Sequence, residues 1–199
     1  SKEDLEGVYG QNTLIEVLGS NHFQKNDLIQ ARKLKVKTCL VAPEGVFSEC
    51  NVMFEYSFEC AFQNPDINFI WRLHPRLNFN DFLKRNSKFK KLPPNITLSS
   101  NSLEDDIYSS THIIYRGSTV VIASISLGLI PIYLQIKDEL SIDPLYNCQH
   151  GRLIVKKASD LIKAMQVNHN DSTIKYLLDY GRSFFVPFDE KVFKKVLNI

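Results

Sequence analysis

The stretch YRGSTVVIASISLGLIPIYLQ, residues 115–135, joins a polar head to a long apolar body. The body predicts a buried helix at about residues 118–127 and a strand at 130–134, separated by Gly128, because glycine commonly ends helices. The head, residues 116–119, places an arginine, a glycine, a serine and a threonine at the start of that helix. Backbone N–H groups and the helix dipole favour negative charge there, so the head predicts an anion site on a buried support.

Signals for strands and helices alternate along the rest of the chain. Apolar and β-branched runs predict strands at residues 37–42, 67–73, 95–100, 112–115, 130–134 and 152–157. Apolar residues at three- and four-residue steps predict a helix at 47–63, from Phe47, Cys50, Phe54, Phe58, Ala61 and Phe62. Further helices are expected within 79–92 and at 103–110, 158–166, 171–182 and 188–197. Short connections between alternating elements predict an α/β fold, an open, mostly parallel Rossmann-like sheet with helices on both faces.

Length and composition fit one domain with an extension. The chain has 199 residues, 44% of them hydrophobic, which is enough for one sizeable core. Residues 1–36 contain three glycines and a single short apolar run, so they are expected to be a linker or edge strand from a preceding domain. Residues 37–199 are expected to form the α/β domain with its C-terminal helices.

Several function classes are excluded or disfavoured. The 24 basic residues nearly balance the 22 acidic ones, so general nucleic-acid binding is not expected. No apolar run is long enough for a membrane span, and no leader segment is evident, which predicts a cytoplasmic protein. The histidines lack zinc-ligand spacing, and the four cysteines form no C-x-x-C pair, so buried thiols are expected. The glycine patterns of dinucleotide, P-loop and serine-hydrolase sites are also missing.

Unusual polar residues follow three of the predicted strands. Ligands of open α/β sheets bind beyond the carboxyl ends of the strands. We therefore expect three strand ends to face one crevice, with these candidate binding residues: Glu44, Gly45, Arg72, His74, Arg76, Arg116, Gly117, Ser118 and Thr119.

Each candidate also has a simpler structural explanation. His74 could donate to a phosphate oxygen, with Arg72 and Arg76 as further donors, or it could belong to an exposed turn fixed by Pro75. Glu44 could accept from a ribose or sugar hydroxyl or act as a base, or it could cap the following helix.

Three further positions have similar alternatives. Ser118 could bind a phosphate or only cap its helix. The carboxylates of residues 104–106 are expected to serve the helix dipole, or their loop could touch a nucleobase. Asp143 could meet a donor sugar or form an ordinary Asp-Pro turn.

These motifs resemble those of the C-terminal nucleotide-binding domain of GT-B glycosyltransferases. WRLHPR at 71–76 is similar to the His-Pro motif of bacterial sialyl-, polysialyl- and Kdo transferases, which use CMP-activated acidic sugars. GSTVVIASISLGLIPIYL at 117–134 resembles their Ser-Ser/Thr motif and the helix and strand that follow. Teichoic-acid polymerases that use CDP-glycerol share the arrangement. The similarity in order and spacing covers residues 37–165.

The resemblance implies a function and a mechanism. His74, Ser118 and Thr119 would bind the CMP phosphate, the loop before Leu103 would lie near the cytosine, and His74 could protonate the leaving group. A single donor phosphate and the lack of D-x-D imply a metal-independent reaction without a cofactor. The partners would be a nucleotide sugar and a glycan acceptor held by a missing N-terminal domain, with peripheral membrane association possible in surface polysaccharide synthesis.

One departure from the family pattern stands out. The catalytic base of sialyltransferases lies in an acidic-acidic-Gly motif of the N-terminal domain, whereas this chain has only Pro43-Glu44-Gly45 in its first strand loop. Enzymatic activity of this chain alone is therefore left open. The alternatives are a CDP-glycerol-type glycerophosphotransferase, a UDP-sugar epimerase-like enzyme, and a non-catalytic interaction domain.

Overall fold

The computed structural model describes residues 2–9, 13–19 and 36–197. The chain divides into two compact units. One comprises residues 29–181, and the other combines residues 1–28 with residues 182–199.

A six-stranded parallel sheet forms the centre of the larger unit. Its strands are β1 (Thr38–Val41), β2 (Asn68–Trp71), β3 (Ile96–Leu98), β4 (His112–Tyr115), β5 (Ile130–Leu134) and β6 (Leu153–Val155). Their order in the sheet is β3-β2-β1-β4-β5-β6, and every pairing is parallel. The predicted fold class, an open Rossmann-like α/β sheet with helices on both faces, is confirmed.

The helices of the larger unit lie close to their predicted positions. They are α2 (Phe47–Gln63), α3 (Phe79–Arg85), a 3₁₀ turn (Ser87–Lys90), α4 (Leu103–Tyr108), α5 (Val120–Ser126), α6 (Ala158–Gln166) and α7 (Asp171–Arg182). The mixed segment 79–92 divides at Asn86, whose side chain contacts α2 through Asn51 at 2.6 Å and Glu55 at 3.2 Å.

The core explains why the central strands lack polar alternation. All four residues of β1 and all four of β4 are buried, as expected for parallel strands covered on both faces. Helix α2 packs against the sheet through a stripe that includes Cys50, Phe54 and Cys60. Phe62, expected on this stripe, is instead 66% exposed, because it lies beside the stripe and the smaller Ala61 takes the inward position.

An aromatic cluster supports the end of β2. The ring of Trp71 stacks on Phe54 with centroids 4.1 Å apart, and Phe89 meets its edge. Its indole N–H donates to Ser57 Oγ at 2.8 Å, so its polar atom is satisfied. Trp71 lies three residues before His74, so the His74-Pro75 turn leaves the sheet from a rigid base.

The stretch 115–135 folds as predicted, with a shorter helix. Helix α5 is buried along Val121, Ala123 and Ile125, and β5 continues the sheet beyond β4. Gly128 adopts φ 96°, a left-handed conformation that favours glycine and ends the helix.

The smaller unit contains helices at both of its segments. These are α1 (Lys2–Tyr9) and α8 (Glu190–Leu197), and the N–H of Asp189 donates to the carbonyl of Leu18 at 2.9 Å. No strand occurs among the described residues of segment 1–36, which was expected to supply a linker or edge strand. Residues 10–12 and 20–35 of that segment lie outside the described residues.

Candidate functional site

The carboxyl ends of β1, β2 and β4 meet at one edge of the sheet. The register pairs Val41 with Trp71 on one side and with Ile114 on the other. The three loops that follow these strands therefore start at the same level and lie side by side. Strands β1 and β4 also mark the point where the strand order reverses, which is where open α/β sheets bind ligands.

His74 is held in a tight turn after β2. The N–H of Leu77 donates to the His74 carbonyl at 2.9 Å, and Pro75 occupies the second turn position, which suits its fixed φ. The backbone N–H of Arg76 donates to His74 Nδ1 at 3.2 Å. Because Nδ1 accepts, the proton of the neutral imidazole lies on Nε2, which is left as a donor. The Arg76 side chain is exposed beside it.

Glycines bring the three loops into contact. A Cβ on Gly45 would lie 2.8 Å from His74 Nδ1, so the imidazole packs against the loop after β1. A Cβ on Gly117 would overlap Glu44 Oε1, so the carboxylate lies over the loop after β4. The structure thus brings these four predicted residues together.

Ser118 and Thr119 follow Gly117 and lie directly before α5. Ser118 is 8% exposed and Thr119 is exposed. Thr119 occupies the cap position in a helical conformation, and its side chain makes no cap hydrogen bond. Helix α5 therefore begins at Val120, two residues later than predicted.

Arg72 is tied to the protein rather than held open for a ligand. Its Nη1 donates to Asp106 Oδ2 at 2.7 Å and to the Asn101 carbonyl at 2.8 Å. The Asp106 side chain is fully buried and also accepts from Ser99 Oγ. Asp106 was expected from the sequence to serve the helix dipole, and its pairing with Arg72 was not foreseen, although both residues follow neighbouring strands. The geometry does not support the phosphate contact predicted for Arg72.

Arg116 also has a structural task. Its side chain is 3% exposed, and it donates to Glu49 Oε2 at 2.6 Å and to Glu139 Oε2 at 2.5 Å. Burial alone would lower the pKa of Arg116, but hydrogen bonds to Glu139 and Glu49 outweigh it and raise the pKa. The expected contribution of Arg116 to phosphate binding is not supported by this geometry, because its guanidinium joins the first turn of α2 to the loop after β5.

Asp143 fixes the long loop between β5 and β6. It accepts from Tyr115 Oη at 2.9 Å, from the Leu145 N–H at 2.8 Å, and from Arg152. Burial and the charge of Asp143 raise the pKa of the Tyr115 phenol. This network favours the ordinary-turn interpretation of Asp143 over a contact with a donor sugar.

Two kinds of feature are absent from the described part of the chain. Its histidine, cysteine, aspartate and glutamate side chains form no group of three or more that could hold a metal ion. No helix there is sufficiently long and apolar to span a bilayer. All four cysteines are free and buried, as predicted.

Comparisons with known proteins establish the fold. No protein-family model and no curated protein matches the chain. Similar solved structures include the spinosyn rhamnosyltransferase SpnG, with 13% identity and a TM-score of 0.56, and the glycosyltransferase SnogD from Streptomyces nogalater, with 14% and 0.53. UDP-GlcNAc 2-epimerase from Neisseria meningitidis, bound to UDP-GlcNAc, has 14% identity and a TM-score of 0.52.

The three structures are much longer than the part that matches. The similarity covers 82%, 82% and 83% of this chain, but 45%, 44% and 46% of SpnG, SnogD and the epimerase. The chain thus spans less than half of the length of these proteins. Its fold matches one half of a GT-B structure.

Proposed function

We propose that this chain is the donor-nucleotide-binding domain of a GT-B glycosyltransferase that uses a CMP-activated acidic sugar. The observation that carries the proposal is the meeting of His74, Gly45, Glu44 and Gly117 at the strand-order reversal between β1 and β4. Polar groups from three loops converge there on a rigid, buried sheet, as a small-molecule site requires. The Rossmann-like fold and its likeness to GT-B structures support the same interpretation.

In this proposal His74 is the catalytic residue. Its Nε2–H donates a hydrogen bond to a phosphate oxygen of the donor and so stabilises the negative charge that the departing nucleotide carries as the sugar bond breaks. The Ser118 and Thr119 hydroxyls and the exposed Arg76 provide further donors, which offset the negative charge that develops on the leaving group. Gly45 and Gly117 leave room for the His74 imidazole and the Glu44 carboxylate, respectively.

Arg72 and Arg116 contribute indirectly. Arg72 connects the β2 loop to Asp106, and Arg116 connects the β4 loop to Glu49 and Glu139. Both arginines therefore hold the loops that carry the binding groups. Their direct contact with a ligand, predicted from the sequence, is not part of this proposal.

The remaining parts of the reaction lie beyond this chain. The proposed acceptor is a glycan of bacterial surface polysaccharide synthesis, held with its catalytic base by an N-terminal domain. A metal-independent reaction, a cytoplasmic location and peripheral association with a membrane complete the proposal.

A UDP-sugar epimerase-like activity is the second candidate. The Neisseria epimerase bound to UDP-GlcNAc has the same fold over 83% of this chain, which favours this alternative over other enzyme classes. A CDP-glycerol-type glycerophosphotransferase and a non-catalytic interaction domain are the further alternatives to be separated by nucleotide binding.

Titration of the 199-residue chain with CMP, CDP and UDP by calorimetry tests the proposal. We expect CMP to bind most tightly, and we expect His74→Ala to weaken CMP binding at least about tenfold, since it removes a hydrogen bond to a charged group. His150→Ala, a change at an exposed histidine outside the three loops, is the control.

Each other result selects an alternative. Tightest binding of UDP would favour the epimerase-like candidate, and tightest binding of CDP would favour the glycerophosphotransferase. If no nucleotide binds at millimolar concentration, which corresponds to a binding free energy weaker than about −4 kcal/mol, the non-catalytic interpretation replaces the proposal.

A further inference from the structure

One carboxylate oxygen in the crevice has no partner. Glu44 Oε2 is buried, and no described residue donates a hydrogen bond to it. Buried polar atoms are nearly always hydrogen-bonded, and an unsatisfied acceptor costs free energy in the folded protein. An atom of this kind at a candidate binding site indicates that a donor arrives with the ligand.

The surroundings restrict the kind of donor. Glu44 Oε2 has no partner among the described residues, and two arginines of the neighbouring loops are already paired, Arg72 with Asp106 and Arg116 with Glu49 and Glu139. A phosphate beside the unneutralised carboxylate would be repelled, since like charges at short range interact unfavourably. A neutral hydroxyl instead supplies the missing hydrogen and no charge.

We propose that Glu44 accepts hydrogen bonds from the hydroxyl groups of a sugar ring in the bound donor. The ring is the ribose of the nucleotide or the sugar that the nucleotide activates. This inference rests on the proposed function and divides the crevice into two parts. Hydroxyls lie against Glu44, and the phosphate lies toward His74.

Gly117 is the second determinant of this subsite. A Cβ at position 117 would overlap Glu44 Oε1 and lie 3.2 Å from Glu44 Cδ, so alanine there displaces the carboxylate. The displaced group is the end of a flexible side chain, and the φ of Gly117 is not in the left-handed region. Gly117→Ala therefore moves Glu44 without requiring a strained backbone.

The test compares wild type, Glu44→Gln, Glu44→Ala and Gly117→Ala, with the exposed Glu59→Gln as the matched control. The probes are CMP, 2′,3′-dideoxy-CMP and CMP-N-acetylneuraminic acid, titrated by calorimetry. If UDP binds more tightly than CMP, the corresponding uridine probes replace them: UDP, 2′,3′-dideoxy-UDP and UDP-N-acetylglucosamine.

A ribose contact and a contact with the activated sugar give different results. For a ribose contact, wild type prefers CMP to its dideoxy form by about tenfold, and Glu44→Ala and Gly117→Ala reduce that ratio to about one. For a contact with the activated sugar, the affinity for CMP is unchanged, and the affinity for the nucleotide sugar falls about tenfold in both variants. Glu44→Gln, which keeps one neutral acceptor, is expected to lie between wild type and Glu44→Ala.

The thermal midpoint of the ligand-free protein separates a ligand contact from a structural role. It is expected to change by less than about 2 °C in Glu44→Ala, because the buried Oε2 accepts no hydrogen bond that the substitution could break.

Three results would overturn the inference while leaving the proposed function in place. In the first, the Glu44 variants lose equal affinity for CMP and for its dideoxy form. In the second, the affinities do not depend on residue 44. In the third, every phosphorylated probe binds more tightly to Glu44→Gln than to wild type. The last result would mean that the carboxylate occupies the phosphate position. Failure of wild type to bind any probe would overturn the proposed function, and the inference with it.

Discussion

The imidazole of His74 packs directly against Gly45, on the loop of the neighbouring strand. A Cβ at position 45 would lie 2.8 Å from Nδ1 and 3.1 Å from both Cε1 and Cγ of the ring. Only a residue without a side chain leaves the ring where it is. Gly45 therefore belongs to the candidate site as much as His74 does.

Gly45→Ala is predicted to mimic the loss of His74. The added methyl group displaces the imidazole, so nucleotide affinity should fall about tenfold, as for the loss of a hydrogen bond to a charged group. Calorimetry with CMP measures the change. Gly7→Ala is the control, since a Cβ there meets nothing within 4 Å. Equal CMP affinity in the two variants would remove His74 from the proposed site.

Asp106→Asn is predicted to destabilise the protein by about 3 kcal/mol, because it removes the charge that pairs Arg72 in a fully buried position. The free energy of unfolding in urea measures this. Asp105→Asn, at the exposed neighbouring carboxylate, should cost less than about 1 kcal/mol.

The companion substitution Arg72→Met separates a structural from a ligand-binding arginine. It should lower stability and change CMP affinity less than about threefold, because the donors used by Arg72 go to Asp106 and Asn101. A tenfold loss of CMP affinity in a folded Arg72→Met protein would restore the role predicted from the sequence.

Arg116→Met is predicted to cost about 2–3 kcal/mol of unfolding free energy. The two carboxylates that lose their partner differ in exposure: the Glu49 side chain is 23% exposed and that of Glu139 is 50% exposed. Glu49→Gln should therefore destabilise more than Glu139→Gln. Lys137→Met, at a side chain 91% exposed, is the control. The opposite order of the two glutamates would contradict the structural role assigned to the ion pairs of Arg116.

His112 gives the protein a specific dependence on pH. It begins β4 at the edge opposite the candidate site, is 7% exposed, and its Nδ1 lies 2.8 Å from Thr111 Oγ1. Burial, with smaller contributions from the charges of Lys37 and His169, lowers its pKa to about 4.

Stability should fall as the pH drops from about 6.5 to about 4. In that interval the unfolded chain binds a proton at His112 that the folded protein excludes, so protonation favours unfolding. The difference of about 2.5 pKa units corresponds to about 3 kcal/mol. Urea unfolding of wild type and His112→Gln between pH 7.5 and 4 isolates this contribution. Parallel curves for the two proteins would contradict it.

The sequence predicted the fold well because local and global signals agree. Helix α2 (Phe47–Gln63) and strand β4 (His112–Tyr115) have their predicted bounds, since apolar spacing, turn residues and sheet burial all favour the same element. The segment 79–92 was less predictable. Its division depends on contacts of Asn86 with a distant helix, which no local pattern encodes.

The candidate site was predictable only in its outline. The rule that ligands bind beyond parallel strand ends selected three loops that the structure brings together. It could not distinguish an arginine that faces a ligand from one that joins two loops, because both follow a strand. Asp106 lies 34 residues from Arg72 in the sequence, and Glu49 lies 67 residues from Arg116. These ion pairs therefore depend on the folded arrangement.

Amide chemical shifts recorded during a CMP titration of the ¹⁵N-labelled chain test the central claim most directly. If the nucleotide binds where β1, β2 and β4 end, the largest changes should fall on the amides of Gly45, His74, Gly117 and Ser118. Shifts confined to other parts of the chain, such as the outer face of α2, or no shifts at millimolar CMP, would contradict the account.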